Sequence, residues 1–317
     1  MTLSRPQFEV LSLLEYFHRS TRAGGDAPRG AGPKTAEKEG GITQRALAKQ
    51  AGLSVGTVNK TLTVLDEAGY TENNRITSRG IEALEPYRVK RAVFIAAGFG
   101  SRLVPITLNT PKPLVRVRGK RIIDTLLDAV IAADIEEIIV VRGYLGEQFD
   151  QLLYKYPGIK FLENPFYNES NNISSAMCVR YMLKNAYVLE SDLYLSSPGL
   201  IAKYQYASNY LGVPAEITDD WCFETRNGYI SKLKVGGKNC HHMFGVSYWN
   251  ENDGAKMAEH IKAVYEMPGG KERYWDQVAL EYFIKDYSIE VRECSFDDII
   301  EIDTFTDLKK LDHTYAV

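Results

Sequence analysis

The sequence predicts an α/β protein: a doubly wound, mostly parallel sheet over residues 89–317, preceded by a small, mainly helical domain over residues 1–88. Two observations carry that prediction. From Arg91 onward, short apolar runs alternate with segments of helical periodicity, the pattern of repeated strand–helix–strand units. Before Arg91 the periodicity is helical, apart from one short polar hairpin-like piece. The 317 residues, 44% of them hydrophobic, suffice for a large core and more than one domain.

Charge is distributed unevenly. The net charge is -3, which does not suit a protein that coats nucleic acid. Residues 1–90 carry 13 Lys and Arg against 10 Asp and Glu, so a mildly basic front precedes an acidic remainder. No run of 18 apolar residues offers a membrane segment, and the first residues lack a secretory pattern. Cys178, Cys222, Cys240 and Cys294 are widely spaced, which implies neither a zinc site nor a disulfide framework. The expected location is the reducing cytoplasm.

In the front domain, Phe8, Leu11, Leu14 and Phe17 have helical spacing within Pro6–His18. The Gly-, Pro- and charge-rich stretch at 20–41 cannot bury enough apolar surface to offset its chain entropy and reads as a flexible loop. Helices are expected at Gln44–Ala51 and Val55–Ala68, the second capped by Ser54. A hairpin-like piece at Tyr70–Ile76 has Asn73-Asn74 at its tip, and a last helix starts at Thr77. Ala48, Gly52 and Val58 fall at the spacing that lets two helices cross, turn and pack. With the hairpin added, the segment looks like a winged helix-turn-helix. Its recognition helix would present Ser54, Gly56, Thr57, Asn59 and Lys60 to DNA. The same fold also serves protein contact or dimerisation, so DNA and a homodimer are both carried as expected partners.

Beyond Arg91 the expected order starts with strand Ala92–Ala96, helix Ile122–Ala132, strand Glu137–Val141 and helix Leu145–Lys155. Strand Ile159–Glu163, helix Asn172–Leu183, strand Ala186–Leu189 and helix Pro198–Tyr206 follow. A hairpin at Asn227-Gly228, strand Met243–Tyr248, helices Gly254–Tyr265 and Trp275–Lys285, and segment Ile289–Asp303 complete it. In such sheets ligands lie at the carboxyl ends of the strands.

One such end reads IAAGFGSRLVPITLNTPKPLV, residues 95–115. Its small residues allow close backbone approach, and their N–H groups can face phosphate oxygens. Arg102 adds a permanently charged fork, and Lys112 is a cation fixed between Pro111 and Pro113. Neither GxGxxG nor GxxxxGK[ST] is present. The motifs AAGFGSR and TPKPL resemble those of the Rossmann-like sugar-nucleotidyltransferase superfamily, and the resemblance runs from about Arg91 onward. It implies that Ala96, Ala97, Gly98, Phe99, Gly100 and Ser101 hold a nucleotide, while Arg102 and Lys112 hold its triphosphate.

Two apolar runs each deliver carboxylates to an edge: Glu190-Ser191-Asp192 and Glu301-Ile302-Asp303. Two oxygen ligands with phosphate oxygens and water suit Mg²⁺. The superfamily resemblance places the cation on Asp192 and Asp303. Alternation along a strand puts Glu190 on the face of Asp192 and Glu301 on that of Asp303, where each could stand behind the cation. The competing expectation for Asp303 is a helix cap.

The motifs GYLGEQF, SNNISS, GVSYW and YWDQV look like those of bacterial phosphocholine cytidylyltransferases. That resemblance implies CTP and a small phosphorylated alcohol or amine as substrates, with CDP-choline and pyrophosphate as products. It puts the segment containing Asn172 and Ser174 near the base. A quaternary ammonium is held by aromatic faces and carboxylates. The candidates are Asp220, Trp221, Glu272, Tyr274 and Trp275, with Tyr248 from GVSYW. Glu190 stands where the family has Asp, and Lys271 and Arg273 flank Glu272. These departures keep 2-aminoethylphosphonate or phosphoethanolamine open as the acceptor. A transcriptional regulator that only senses nucleotide is the competing reading from another class.

Overall fold

The computed structural model describes residues 2–22 and 42–315. Contacts divide the chain into two units, Met1–Arg88 and Val89–Val317.

The first unit contains α1 (Arg5–Arg22), α2 (Gln44–Ala51), α3 (Val55–Glu67), the two-strand ribbon β1 (Thr71–Glu72) and β2 (Arg75–Ile76), and α4 (Ser78–Leu84). Ser20–Arg22 thus belong to a helix rather than to the expected loop, whose remaining residues 23–41 lie outside the described residues. Local chemistry explains the boundaries. Thr43, Ser54 and Thr77 each accept a backbone N–H at a helix start, and Gly52 leaves α2 in the left-handed conformation at φ 64°. Asn73 and Asn74 take positive φ at the ribbon tip. Apolar Leu11, Leu14, Leu47, Val58, Leu62 and Leu65 are buried, and α1 packs on α2, α3 and α4.

The second unit is built on a seven-stranded sheet. Strands β7 (Ile159–Glu163), at one edge, then β6 (Glu137–Arg142), β3 (Arg91–Ile95) and β8 (Ala186–Glu190) run parallel in that spatial order. The long β11 (Tyr229–Trp249) joins antiparallel to β8, with β12 (Glu290–Glu293) and β10 (Asn209–Arg226) beyond it. Both faces of β3, β6 and β8 are covered, which is why their interiors read as continuous apolar runs. Phe94, Val140 and Leu189 pack with Ile123, Leu126 and Val130 of α5 (Ile122–Ala132). Val93, Ile139 and Val188 pack on the opposite face with residues of α6 (Ile173–Val179) and α7 (Glu251–Glu266). Two small ribbons, β4 (Arg116–Val117) with β5 (Lys120–Arg121) and β9 (Leu193–Leu195) with β13 (Ile299–Glu301), and helix α8 (Phe305–Leu311) complete the unit. No helix among the described residues is long and apolar enough to cross a membrane.

Several expected elements differ. The helix over Leu145–Lys155 is a 3₁₀ helix, Gly146–Tyr154, and that over Asn172–Leu183 is α-helical only to Val179. Pro198–Tyr206 forms a single 3₁₀ turn, Pro198–Leu200. There the buried Tyr187 hydroxyl accepts from the Ala202 N–H and donates to the Ala202 carbonyl, engaging backbone groups a helix would use. Trp275–Lys285 contains a π turn at Val278–Tyr282 followed by a 3₁₀ turn. The hairpin at Asn227-Gly228 joins strands of 18 and 21 residues, far longer than the pattern indicates.

Candidate active site

The carboxyl ends of β3 and β8 open on one side of the sheet into a cavity of about 490 Å³. One wall is the glycine loop. Ile95 ends β3, and Ala96, Gly98, Gly100, Ser101 and Arg102 line the cavity. Gly100 has φ 62°, and a Cβ there would fall 2.8 Å from the Lys112 Cβ, so only glycine lets the loop pass this close. Thr107 Oγ1 donates to the Gly100 carbonyl at 2.9 Å and holds the crossing in place.

Lys112 is 7% exposed and projects to the acids. Its Nζ donates to Asp192 Oδ2 at 2.8 Å and to Asp303 Oδ1 at 3.0 Å. Arg102 Nη1 donates to the other Asp303 oxygen at 2.7 Å. Burial alone would push the Lys112 ammonium down, but the Asp192 and Asp303 carboxylates outweigh it and hold it above its ordinary value. The β9–β13 ribbon brings the two acids together, since Ile302 N donates to the Asp192 carbonyl at 3.1 Å. Thr304, not Asp303, caps α8, in a capping box with Asp307. Asp303 is therefore left to face Lys112.

The carboxylates form the chemical centre. Oxygens of Glu190, Asp192 and Glu301 lie within 4.8 Å of one another, as do those of Asp220, Glu301 and Asp303. Burial, and then the neighbouring acids, hold Glu190 and Glu301 well above the usual carboxylate range. Asp192 Oδ1 is buried without a hydrogen-bond partner. Clustered acids with an orphaned oxygen are a donor set that fits a hard divalent cation.

The far wall comes from β10, β11 and the segment after α7. Asp220, Trp221, Leu233, Met243, Gly245, Tyr274, Asp276 and Gln277 line it. The Trp221 and Tyr274 rings meet edge to face at 5.7 Å. Asn172 ties this wall to β8: its side-chain carbonyl accepts from Trp275 N at 2.9 Å, and its Nδ2 donates to Glu190 Oε1 at 3.3 Å.

Six expected site residues do not line the cavity. Ala97 is buried, and its carbonyl accepts from Tyr144 N. Phe99 packs instead on Tyr144 and Tyr167. Ser174 is buried and hydrogen-bonds the Asn171 carbonyl and Asn164. Tyr248 is a core ring against Tyr187 and donates to Asn185 Oδ1. Trp275 is fully buried between Tyr210 and Trp249, turned inward by the irregular backbone around it. Glu272 is exposed on a short turn, where its backbone carbonyl accepts from Asn171 Nδ2.

Sequence reasoning missed Asp276 and Gly245. The YWD motif contained the first, but no periodicity tells which way a residue in a π-containing segment faces. The second carried a signal: a glycine inside a strand marks a close approach. A Cβ on Gly245 would lie 2.5 Å from Glu190 Cγ.

Residues 91–206 match the family described as Nucleotidyl transferase, and residues 34–70 match one described as Winged helix-turn-helix DNA-binding. The chain belongs to the nucleotidyl transferase family, among its cytidylyltransferases. A 2-aminoethylphosphonate cytidylyltransferase of Lancefieldella rimae is 33% identical over 229 residues, 71% of this chain and 93% of that one. A choline-phosphate cytidylyltransferase of Streptococcus pneumoniae is 34% identical over 224 residues, 70% of this chain and 96% of that one. The solved structure of a CTP:phosphocholine cytidylyltransferase from Streptococcus pneumoniae superposes with a TM-score of 0.66 at 34% identity, covering 72% of this chain and 99% of that one.

Proposed function

We propose that this chain transfers CMP from CTP to phosphocholine, forming CDP-choline and releasing pyrophosphate with Mg²⁺ as its cation. One observation carries the choice of a cationic acceptor. Arg102 and Lys112, the cations lining the cavity, are already paired with Asp192 and Asp303. Glu190, Asp220, Asp276 and Glu301 line the same cavity with no ion pair among the described residues, beside the rings of Trp221 and Tyr274. Unpaired acids next to aromatic faces favour an ammonium group.

In this reading the glycine loop, Arg102 and Lys112 bind the triphosphate, and Asp192 and Asp303 hold Mg²⁺. When bound, Mg²⁺ neutralises charge that builds on the α-phosphate and the departing pyrophosphate. The far wall turns the acceptor's phosphate toward the α-phosphorus, where its oxygen displaces pyrophosphate in line. No side chain needs to remove a proton, because the acceptor phosphate is already anionic. The test is a panel of phosphocholine, phosphoethanolamine, 2-aminoethylphosphonate and glucose 1-phosphate, each with CTP and with UTP. Glucose 1-phosphate as the best acceptor would sink the proposal.

A second acceptor, 2-aminoethylphosphonate, is favoured by the number of acids, since a primary ammonium donates hydrogen bonds to carboxylates and a quaternary one cannot. The same panel separates the two. For the first unit we propose duplex DNA. Asn59 and Lys60 of α3, with Arg45 and Arg75, are exposed and of the types that read or neutralise DNA. A gel shift on the gene's own upstream DNA tests this, and no shift at low salt would remove it.

A further inference from the structure

We propose that Tyr144, with Gln148, is a positioning residue for the nucleotide: the two straps hold the glycine loop in the shape that receives the triphosphate. The inference rests on the reading that this loop binds the triphosphate, and it gives a task to two residues of the GYLGEQF motif that do not line the cavity.

The loop has little else to hold it. Between Gly98 and Asn109 it runs over the surface, and only Leu103 and Thr107 are buried. Polar bonds reach it from the turn that follows β6. Tyr144 N donates to the Ala97 carbonyl at 3.1 Å, at the start of the loop. The Tyr144 hydroxyl donates to the Thr107 carbonyl at 2.9 Å, near the end of the loop, with the Leu108 carbonyl at 3.3 Å from the same oxygen. Gln148 Nε2 donates to the Asn109 carbonyl at 2.8 Å. Between these limbs the Tyr144 ring packs on Phe99 at 5.1 Å. One tyrosine therefore fastens both limbs and the middle.

The restraint passes on to the site. Thr107, held by Tyr144 through its carbonyl, holds the Gly100 carbonyl through Oγ1, and Gly100 is the residue that crosses Lys112. The turn that bears Tyr144 is itself fixed. Gly143 passes under the Tyr167 ring, where a Cβ would fall 2.7 Å from Cγ, and Leu145 takes φ 48°, uncommon for a residue with a side chain. A loop whose N–H groups must face phosphate oxygens binds more tightly when its ordering precedes the ligand.

The experiment uses the full chain with Mg²⁺ and measures Kd for CTP and for CMP, which lacks the two outer phosphates, together with KM for the preferred acceptor. Tyr144→Phe keeps the ring on Phe99 and removes the hydroxyl. It should weaken CTP about fivefold, while CMP binding and KM for the acceptor change by less than about twofold. Gln148→Met should act in the same direction, and the double variant should exceed either. Arg102→Ala, which removes a cation assigned to the triphosphate itself, should also weaken CTP. Wild-type affinity for CTP in Tyr144→Phe, or in Gln148→Met should the first variant not fold, overturns the inference alone when Arg102→Ala binds CTP weakly. An equal loss for CTP and CMP does the same, because it marks a general loosening rather than a misplaced loop. Unchanged CTP binding in Arg102→Ala overturns the assignment of the loop to the triphosphate and this inference with it.

Discussion

Lys112 Nζ lies 3.0 Å from Asp303 Oδ1 although 191 residues separate the two in the chain, and the same nitrogen reaches Asp192 Oδ2 at 2.8 Å. One ammonium thus holds two acids that would otherwise repel across a largely buried gap. Replacing it exposes that repulsion. Lys112→Met should lose about 2 kcal/mol of stability in metal-free buffer. Mg²⁺ should then raise its melting temperature more than it raises that of wild type, because a ligand stabilises most where charge is least compensated. Equal melting of the two proteins without metal would contradict this.

Gly245 offers a test of Glu190 that leaves its carboxyl intact. An alanine Cβ would stand 2.5 Å from Glu190 Cγ, so the carboxylate must shift. Gly245→Ala should lower kcat/KM about tenfold or more while the circular dichroism spectrum stays native. Wild-type kinetics would show that the placement of Glu190 is immaterial.

The tryptophans should divide by role. Trp275→Ala opens a hole among Tyr210, Trp249 and their neighbours and should cost about 3–5 kcal/mol in urea unfolding. Trp221→Ala removes a half-buried wall of the cavity. It should leave the unfolding midpoint nearly in place and raise KM for the acceptor. The reverse pattern would exchange their assignments.

Asp276 predicts a dependence of stability on pH. Its folded-state value, pushed by burial up to about 7, lies above the ordinary 3.8 of an aspartate. Between those values the native carboxyl keeps a proton that the unfolded chain releases, so stability falls as pH rises through that window and levels off above it. Asp276→Asn removes the titration. Its melting temperature should therefore gain on wild type between pH 5 and about 7.5. Parallel curves for the two proteins would contradict this.

Much of this was legible because it is local. The caps at Thr43, Ser54 and Thr77 and the left-handed Gly52 are set by neighbouring residues, and the front unit's helices follow from them. Strands β3, β6 and β8 stand out because burial on both faces leaves no charged residue to interrupt their interiors. The meeting of Lys112, Asp192 and Asp303 was legible through the resemblance of their motifs to those of the superfamily. Tertiary effects were not legible. Polar residues and glycines between Ala215 and Asn239 hide strands that pair chiefly with one another, as Ile217 with Lys238 and Glu224 with Lys232. The Tyr187 hydroxyl removes a helix around Ala202 from a distance in sequence. Trp275 looked like a pocket residue because residue type alone does not tell a side chain which way to face.

The ribbon between β9 and β13 sets an order of events during synthesis. A nascent chain can complete β3 through β11 on the ribosome while the acid at position 303 is still untranslated. Until that residue emerges, Asp192 has Lys112 to itself, and the half-built enzyme cannot gather its full acidic cluster. The acidic cluster is thereby the last part of the cavity lining to be fully translated.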